Sequence, residues 1–317
     1  MTQTKQTTGL PAGHRLDAYT IVRELSQGGF SRVYLALDDA DRKLAIKEYL
    51  PGSMARHNAD LQVEVISELD AEPFRVGKKC FFEEARVLAD IQHPNVVRVR
   101  NFFAANQTVY MVMDYTEGRP LSREIELAGG ALEEARLRRL FVELVGGLRE
   151  VHSRRLLHLD LKPANIYLRR NGSPVLLDFG AARQNAQRQQ GQAVSMYTPA
   201  FAPPEQTRAD ARLGPWTDIY SLGACLYACL GIGAPPPAKQ REPGAAPPAL
   251  AEAAARYSLE LLALVSRSMA LDPEQRPGSL LEVQKALQAP FSPPAKPDGL
   301  LQKLGGWLRP ERVKERG

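Results

Sequence analysis

The sequence is short of cysteine, of long apolar runs and of any strong excess of one charge, and each shortage narrows what the chain can be. Its 317 residues include three cysteines, Cys80, Cys225 and Cys229. They show neither a disulfide framework nor a metal-ligand spacing, which excludes a cysteine-stapled scaffold and fits a reducing, cytoplasmic setting. The longest apolar stretch, Tyr220 to Ala234, is interrupted by Gly223 and Gly231. It falls short of the roughly 20 residues that cross a bilayer, so it reads as a buried helix and no transmembrane segment is expected. Met1 to Leu10 is polar and rich in Thr and Gln. It lacks the basic-then-apolar order of a secretion signal and reads as part of a disordered leader over residues 1–17. The formal net charge is +5, with the basic residues scattered. Such a balance suggests contact with acidic surfaces only weakly, and without a nucleic-acid motif no nucleic-acid partner is expected.

What the chain does have is the run His158-Leu159-Asp160-Leu161-Lys162-Pro163-Ala164-Asn165, with Asp178-Phe179-Gly180 starting thirteen residues after the Asn. Phosphoryl transfer needs little covalent help from a protein, but it needs an acceptor hydroxyl aimed and triphosphate charge neutralised. One Asp to orient the hydroxyl, a Lys beside it, and an Asn with a second Asp for a divalent cation fill those roles. Asp178 as a mere turn residue before Gly180 would leave Asp160 and Asn165 at these intervals unexplained. His158 reads better as a satisfied core histidine than as a proton carrier. The two strings closely resemble the catalytic and metal loops of eukaryotic-type protein kinases.

Further elements of that family follow in order. Leu25-Ser26-Gln27-Gly28-Gly29-Phe30-Ser31-Arg32-Val33-Tyr34 resembles the glycine-rich hairpin over the ATP phosphates, with Ser26 and Ser31 in place of two of the three usual glycines. Leu44-Ala45-Ile46-Lys47 is an alternating strand that ends in a point charge suited to the α and β phosphates. In Phe82-Glu83-Glu84-Ala85-Arg86-Val87-Leu88, Glu84 falls at the lysine-pairing position, and Glu83 points about 100° away on the helix. The segment Thr198-Pro199-Ala200-Phe201-Ala202-Pro203-Pro204-Glu205 resembles the one closing the activation loop in bacterial Ser/Thr kinases, with Pro203 replacing the usual Ala. Asp218-Ile219-Tyr220-Ser221-Leu222-Gly223 is similar to the start of that family's central buried helix, and Arg276 to the arginine that pairs with the closing glutamate, here Glu205.

The resemblance implies an α+β, bilobal kinase fold, with a small antiparallel β lobe carrying one main helix and a larger, mainly helical lobe. A two-part architecture also suits the length. The expected boundaries are 18–116 for the small lobe, with an insertion at 51–78, and 117–289 for the large lobe. A Pro-rich linker and amphipathic tail follow over 290–317, with Leu300, Leu301, Leu304, Trp307 and Leu308 near one helical face. Strands are predicted near 19–25, 31–37, 43–49, 97–104 and 108–114. Helices are predicted near 79–91, 132–153, 218–230, 258–269 and 279–288. Residues 234–250, dominated by Ala and Pro, read as an irregular connection.

The site that the resemblance implies is specific. Asp160 accepts or orients the hydroxyl proton, Lys162 stabilises the γ phosphate, and Lys47 is held by Glu84. Asn165 and Asp178 bind Mg2+, for which Mn2+ is an alternative. ATP lies under Ser26, Gly28, Gly29 and Ser31, its base between Val33 and Ala45 above and Tyr167 below. Met113 is the gatekeeper, and Asp114 and Thr116 offer backbone groups to the base. Lys162 and Thr198 resemble the Ser/Thr class, so the partner implied is a protein substrate. A regulatory partner through 51–78 or 290–317 is a further expectation, beside the plainer reading of 51–78 as a surface excursion. Leu159 stands where loop-regulated kinases carry an Arg that receives an activation-loop phosphate. Two other functions remain open at this point: a pseudokinase scaffold, and a kinase-like small-molecule phosphotransferase, which typically lacks the Pro203-Pro204-Glu205 and Asp218 signatures.

Overall fold

Alternating, β-branched and aromatic segments in the first third of the chain form β1 (Arg15–Leu16), β2 (Tyr19–Gln27), β3 (Ser31–Asp38), β4 (Lys43–Tyr49), β5 (Ala55–His57), β6 (Val63–Val65), β7 (Val99–Ala105) and β8 (Thr108–Asp114). Six of them make one antiparallel sheet in the order β1-β2-β3-β4-β8-β7, and β5 and β6 pair separately. A computed structural model of the chain describes residues 9–179, 198–208 and 210–291. They fall into two compact units that divide between Glu117 and Gly118.

In the first unit the pleat sorts side chains by parity. Leu44 and Ile46 of β4 join Tyr34, Ala36, Tyr110 and Val112 in a core closed from outside by Leu10, Leu16, Tyr19 and Ile21. The opposite parity of the same strands carries Val33, Ala45, Lys47 and Met113, with Ala45 directly across from Met113. Helix α1 (Ala71–Ala89) packs on β7 and β8 and buries Phe74, Phe81, Glu84 and Leu88. Tyr49 meets Phe74 and Phe81 at 5.4 and 5.7 Å between ring centroids, which fixes α1 against the end of β4.

The second unit begins with β9 (Gly118–Pro120) and α2 (Leu121–Leu127), continues through α3 (Glu134–Ser153), and then forms the ribbon β10 (Ile166–Arg169) and β11 (Pro174–Leu176). Helices α4 (Pro215–Ala228), α5 (Leu250–Ala253), α6 (Leu259–Ser268) and α7 (Leu280–Gln288) complete it. α3 packs on α7 and α4 on α6. β9 pairs with β10 so closely that a Cβ on Gly118 would come within 2.0 Å of the Leu168 carbonyl oxygen. The apolar run from Tyr220 lies in α4, where every residue from Thr217 to Tyr227 is buried. Among the described residues no helix is long and apolar enough to cross a membrane.

Two sequence expectations change. The stretch 9–17, expected within a disordered leader, is ordered: Leu10 is buried in the core and Arg15–Leu16 pairs with β2, because the sheet needs an apolar cover on its outer face. α1 starts at Ala71 rather than 79, so the excursion after β4 ends there. Pro73 sits in the first helical turn, where a missing N–H costs nothing, and so does not stop the helix. Within the expected insertion, residues 51–70 include the β5–β6 hairpin. The connection 234–250 is irregular as expected yet tied down: Arg241 donates to the carbonyls of Met269 and Ala245, and the Tyr227 hydroxyl donates to the Pro248 carbonyl. The amphipathic tail and most of 290–317 lie outside the described residues.

Candidate active site

The first unit supplies the glycine turn, Lys47, Glu84 and the strand leading to Thr116. β2 and β3 pair up to Gln27 and Arg32, and the Gly28 N–H donates to the Ser31 carbonyl at 2.8 Å. Ser26, Gly28 and Gly29 are exposed, and Ser31 and Val33 are half-buried. Lys47 is only 8% exposed, and its ammonium lies 5.7 Å from the Phe81 ring centroid. Of the two candidate glutamates on α1, Glu84 is buried, whereas Glu83 is exposed and pairs with Arg86 at 2.8 Å. Met113 is buried at the end of β8. The Asp114 carboxylate is held by Arg100, and its N–H donates to the Arg98 carbonyl, so of its backbone groups only the carbonyl remains a candidate for a base. Thr116 is half-buried just beyond the strand.

The second unit supplies Asp160, Lys162, Asn165, Tyr167 and Asp178, and a short ribbon brings the last three into register. Ile166 faces Leu176 and Tyr167 faces Val175. One step further the Leu177 N–H donates to the Asn165 carbonyl at 2.9 Å, and Asp178 follows at once. The Lys162 ammonium donates to both Asp160 oxygens at 3.2 and 3.0 Å and to the Thr198 hydroxyl at 3.2 Å. The Asn165 side-chain N–H donates to the Asp160 carbonyl at 2.9 Å and to its carboxylate at 3.1 Å. That use of the nitrogen turns the amide oxygen into the group left for a cation. An amide oxygen and the Asp178 carboxylate are hard donors that fit Mg2+, which typically takes only one or two carboxylates and completes its shell with phosphates and water.

Two residues of these loops stand in left-handed backbone conformations, Leu159 at φ 61° and Asp178 at φ 54°. For residues with a Cβ this costs roughly 1–3 kcal/mol each and persists only where the surroundings enforce it. The enforcement at Leu159 is visible. The fully buried Asp218 carboxylate accepts from the His158 and Leu159 N–H groups at 2.8 Å each and from His152 Nε2 at 2.7 Å. Gln206, also buried, donates its side-chain N–H to the Leu159 carbonyl at 2.5 Å. Burial works to raise the Asp218 carboxyl, but the His152 hydrogen bond and charge, with the backbone donors, hold it below its ordinary value. Below it, Arg276 grips Glu205 through two hydrogen bonds of 2.6 and 3.0 Å and also donates to the carbonyls of Trp216, Ala270 and Leu271. Breaking such a buried pair by removing one partner costs about 3–5 kcal/mol.

Sequence reasoning missed His152 and Gln206. The available signals were position alone: His152 closes α3 one turn before the catalytic loop, and Gln206 directly follows the closing Glu205. Ser195 and the rest of 180–197 lie outside the described residues.

A loop that couples Asp, Lys and Asn to a second Asp through a strand ribbon, held from below by a buried Asp on a central helix, defines a protein kinase domain. The family model described as protein kinase domain matches residues 19–292, and the chain belongs to that family. Within it the chain falls among the eukaryotic-like bacterial Ser/Thr kinases. It is 30% identical to the serine/threonine-protein kinase PknA of Nostoc sp. over 282 residues, covering 85% of this chain and 47% of that protein. To the serine/threonine-protein kinase pkn2 of Myxococcus xanthus it is 31% identical over 290 residues, covering 86% of this chain and 32% of the relative. A solved structure, the PpkA-294 apo form, superposes with a TM-score of 0.77 at 35% identity, covering 88% of this chain and 99% of that one. The chain therefore spans about half the length, or less, of these curated relatives.

Proposed function

We propose that this chain transfers the γ-phosphate of ATP to Ser or Thr hydroxyls of proteins, itself included. The observation that carries the reading is the Lys162 ammonium hydrogen-bonded at once to the Asp160 carboxylate and the Thr198 hydroxyl, with the Asn165 amide tied to the same Asp160. A carboxylate so oriented accepts or steers the proton of an incoming hydroxyl, while the lysine steadies negative charge on the transferred group. Lys47, kept desolvated beside Phe81, grips the α and β phosphates, and Glu84 keeps it in place. Asn165 and Asp178 hold the cation, which when bound neutralises phosphate charge. For the base, Val33, Ala45 and Met113 of the first unit supply apolar surface and Asp114 and Thr116 backbone groups; in the second unit Tyr167 is the residue suited to the same task. The three cysteines are free thiols, which supports a reducing, cytoplasmic setting.

Incubation with Mg2+ and labelled ATP, followed by mass-spectrometric mapping of phosphosites on the chain and on added protein, tests the proposal. Lys47→Met and Asp178→Asn should each keep the fold and lower transfer by at least about a hundredfold. Wild-type turnover in both variants would overturn the site. No turnover by the intact chain would leave a scaffold, and label confined to small-molecule acceptors would point to a different phosphotransferase.

A further inference from the structure

The residue after Lys47 faces the other way and is unusual in its own right. Glu48 is a carboxylate with no exposed surface, on the outer parity of β4. It accepts from the Tyr34 hydroxyl at 2.7 Å, from the Tyr110 hydroxyl at 2.7 Å and, at 2.8 Å, contacts Nε2 of the buried His57. The tyrosines come from β3 and β8, the two neighbours of β4, and their hydroxyls are further held by the Leu10 N–H and by Asn106. Burial first, and the Glu48 charge second, push both phenols well above their ordinary pKa, so they act as neutral donors. His57 comes from elsewhere: it ends β5, in the inserted hairpin. A buried carboxylate is expensive unless fully hydrogen-bonded, so the insert is part of what makes Glu48 tolerable at this place.

The insert also reaches the glycine turn. β3 and β4 pair up to Ser31 and Tyr49, and the pairing continues past the strands: the Leu50 N–H donates to the Phe30 carbonyl at 2.9 Å, and the Gly52 N–H to the Gly29 carbonyl at 3.1 Å. Phe30 is buried while Gly28 and Gly29 are exposed. Gly52 is the second residue of a turn closed by the Met54 N–H on the Pro51 carbonyl at 2.9 Å, and the hairpin follows directly. Its far strand is tied back to the sheet by the Val63 N–H on the Asn106 carbonyl.

We propose that the inserted segment 50–65 is a brace for nucleotide binding, with His57 as a positioning residue that acts through Glu48 on the strand presenting Lys47, and with Gly52 fixing the glycine turn. The proposal rests on the kinase reading for what the braced parts do. Its physical content is separate: the turn and Lys47 are presented in one arrangement before ATP arrives, so binding need not order them.

The test is direct titration of the full chain with a fluorescent ATP analogue, alongside the KM for ATP, kcat and the melting temperature. His57→Ala should weaken nucleotide binding and raise the KM for ATP about five- to tenfold, the size expected for one buried polar contact. The KM for a protein acceptor should stay within twofold. His57→Gln, which keeps a donor for Glu48, should recover most of the loss. A purely structural histidine would instead lower the melting temperature of both variants and leave binding, measured well below melting, within twofold of wild type; that result overturns the brace. If His57→Ala does not fold, Gly52→Pro decides alone. Proline suits the second position of this turn but removes the one N–H that reaches Gly29, while Gly52→Ala keeps it and meets open space. Binding weakened by Pro and not by Ala supports the brace, and equal binding in the two overturns it. Absence of nucleotide binding by the wild-type chain would instead sink the kinase reading, so the two failures are distinguishable.

Discussion

His158 shows how one buried side chain sets a pH limit. Its ring is fully buried, 4.6 Å from that of Phe179 between centroids, and burial pushes its pKa below the ordinary 6.5 despite the opposing charges of Asp218, Asp160 and Asp178. In the unfolded chain the same imidazole takes up a proton near pH 6.5. Below that pH and above the depressed folded value, the unfolded state therefore binds more protons, and stability falls as pH falls, by at most about 1.4 kcal/mol per pH unit. Asp218 acts in the same sense lower down: its contribution is complete above the ordinary carboxylate range and is lost as pH drops through its lowered folded value. Urea unfolding at pH 7, 6 and 5 should show the loss, and His158→Phe, which keeps a ring against Phe179, should flatten it between pH 6.5 and 5. An unchanged slope in the variant would assign the loss to other groups.

At the scale of elements, Gly77 decides how α1 meets β4. A glycine-to-alanine change inside a helix ordinarily gains about 0.5–1 kcal/mol. Here the new Cβ would stand 1.8 Å from the Tyr49 hydroxyl oxygen and 2.7 Å from its Cζ, so helix or ring must move. Overpacking of this kind costs about 1–3 kcal/mol and outweighs the gain. Gly77→Ala should thus destabilise the protein and, because α1 carries Glu84 and Tyr49 lies two residues from Lys47, lower turnover as well. Adding Tyr49→Phe removes the nearest atom and should restore part of both, as thermal melts and initial rates would show. The same region marks what could be read from sequence. The long strands and helices follow from their periodicity to within a few residues. The start of α1 does not, because Pro73 and Gly77 look like stops until the turn and contact that accommodate them are seen. The two- to four-residue pieces β1, β5, β6, β9, β10 and β11 carry too few side chains for a pattern. The motif residues could each be named from the sequence, but the bonds of Gln206 to Leu159 and of His152 to Asp218 join residues distant in sequence, and that of His57 to Glu48 depends on how the inserted hairpin folds back, so no local pattern announces them.

For the molecule as a whole, Leu159 bears on how activity is switched. It is 3% exposed, wedged into its left-handed conformation by Asp218 and Gln206, and has no charge to offer a phosphate. Activity should then not depend on phosphorylation of Ser195. Phosphatase-treated protein should keep most of its initial rate and Ser195→Ala should match wild type, whereas a lag abolished by prephosphorylation and restored by the mutation would show that another cation receives the phosphate. Finally, the β10–β11 ribbon makes the distance from Asn165 to Asp178 a matter of parity rather than of length. Its turn at Arg170, Asn171 and Gly172 is exposed, so residues added there would leave the pairing of Asn165 with Leu177 intact. One residue added or removed within β11 would instead exchange its two faces and carry Asp178 to the wrong side. Among sequences built on this plan, the thirteen-residue interval can therefore drift freely at the turn, while the count within the strands is held fixed.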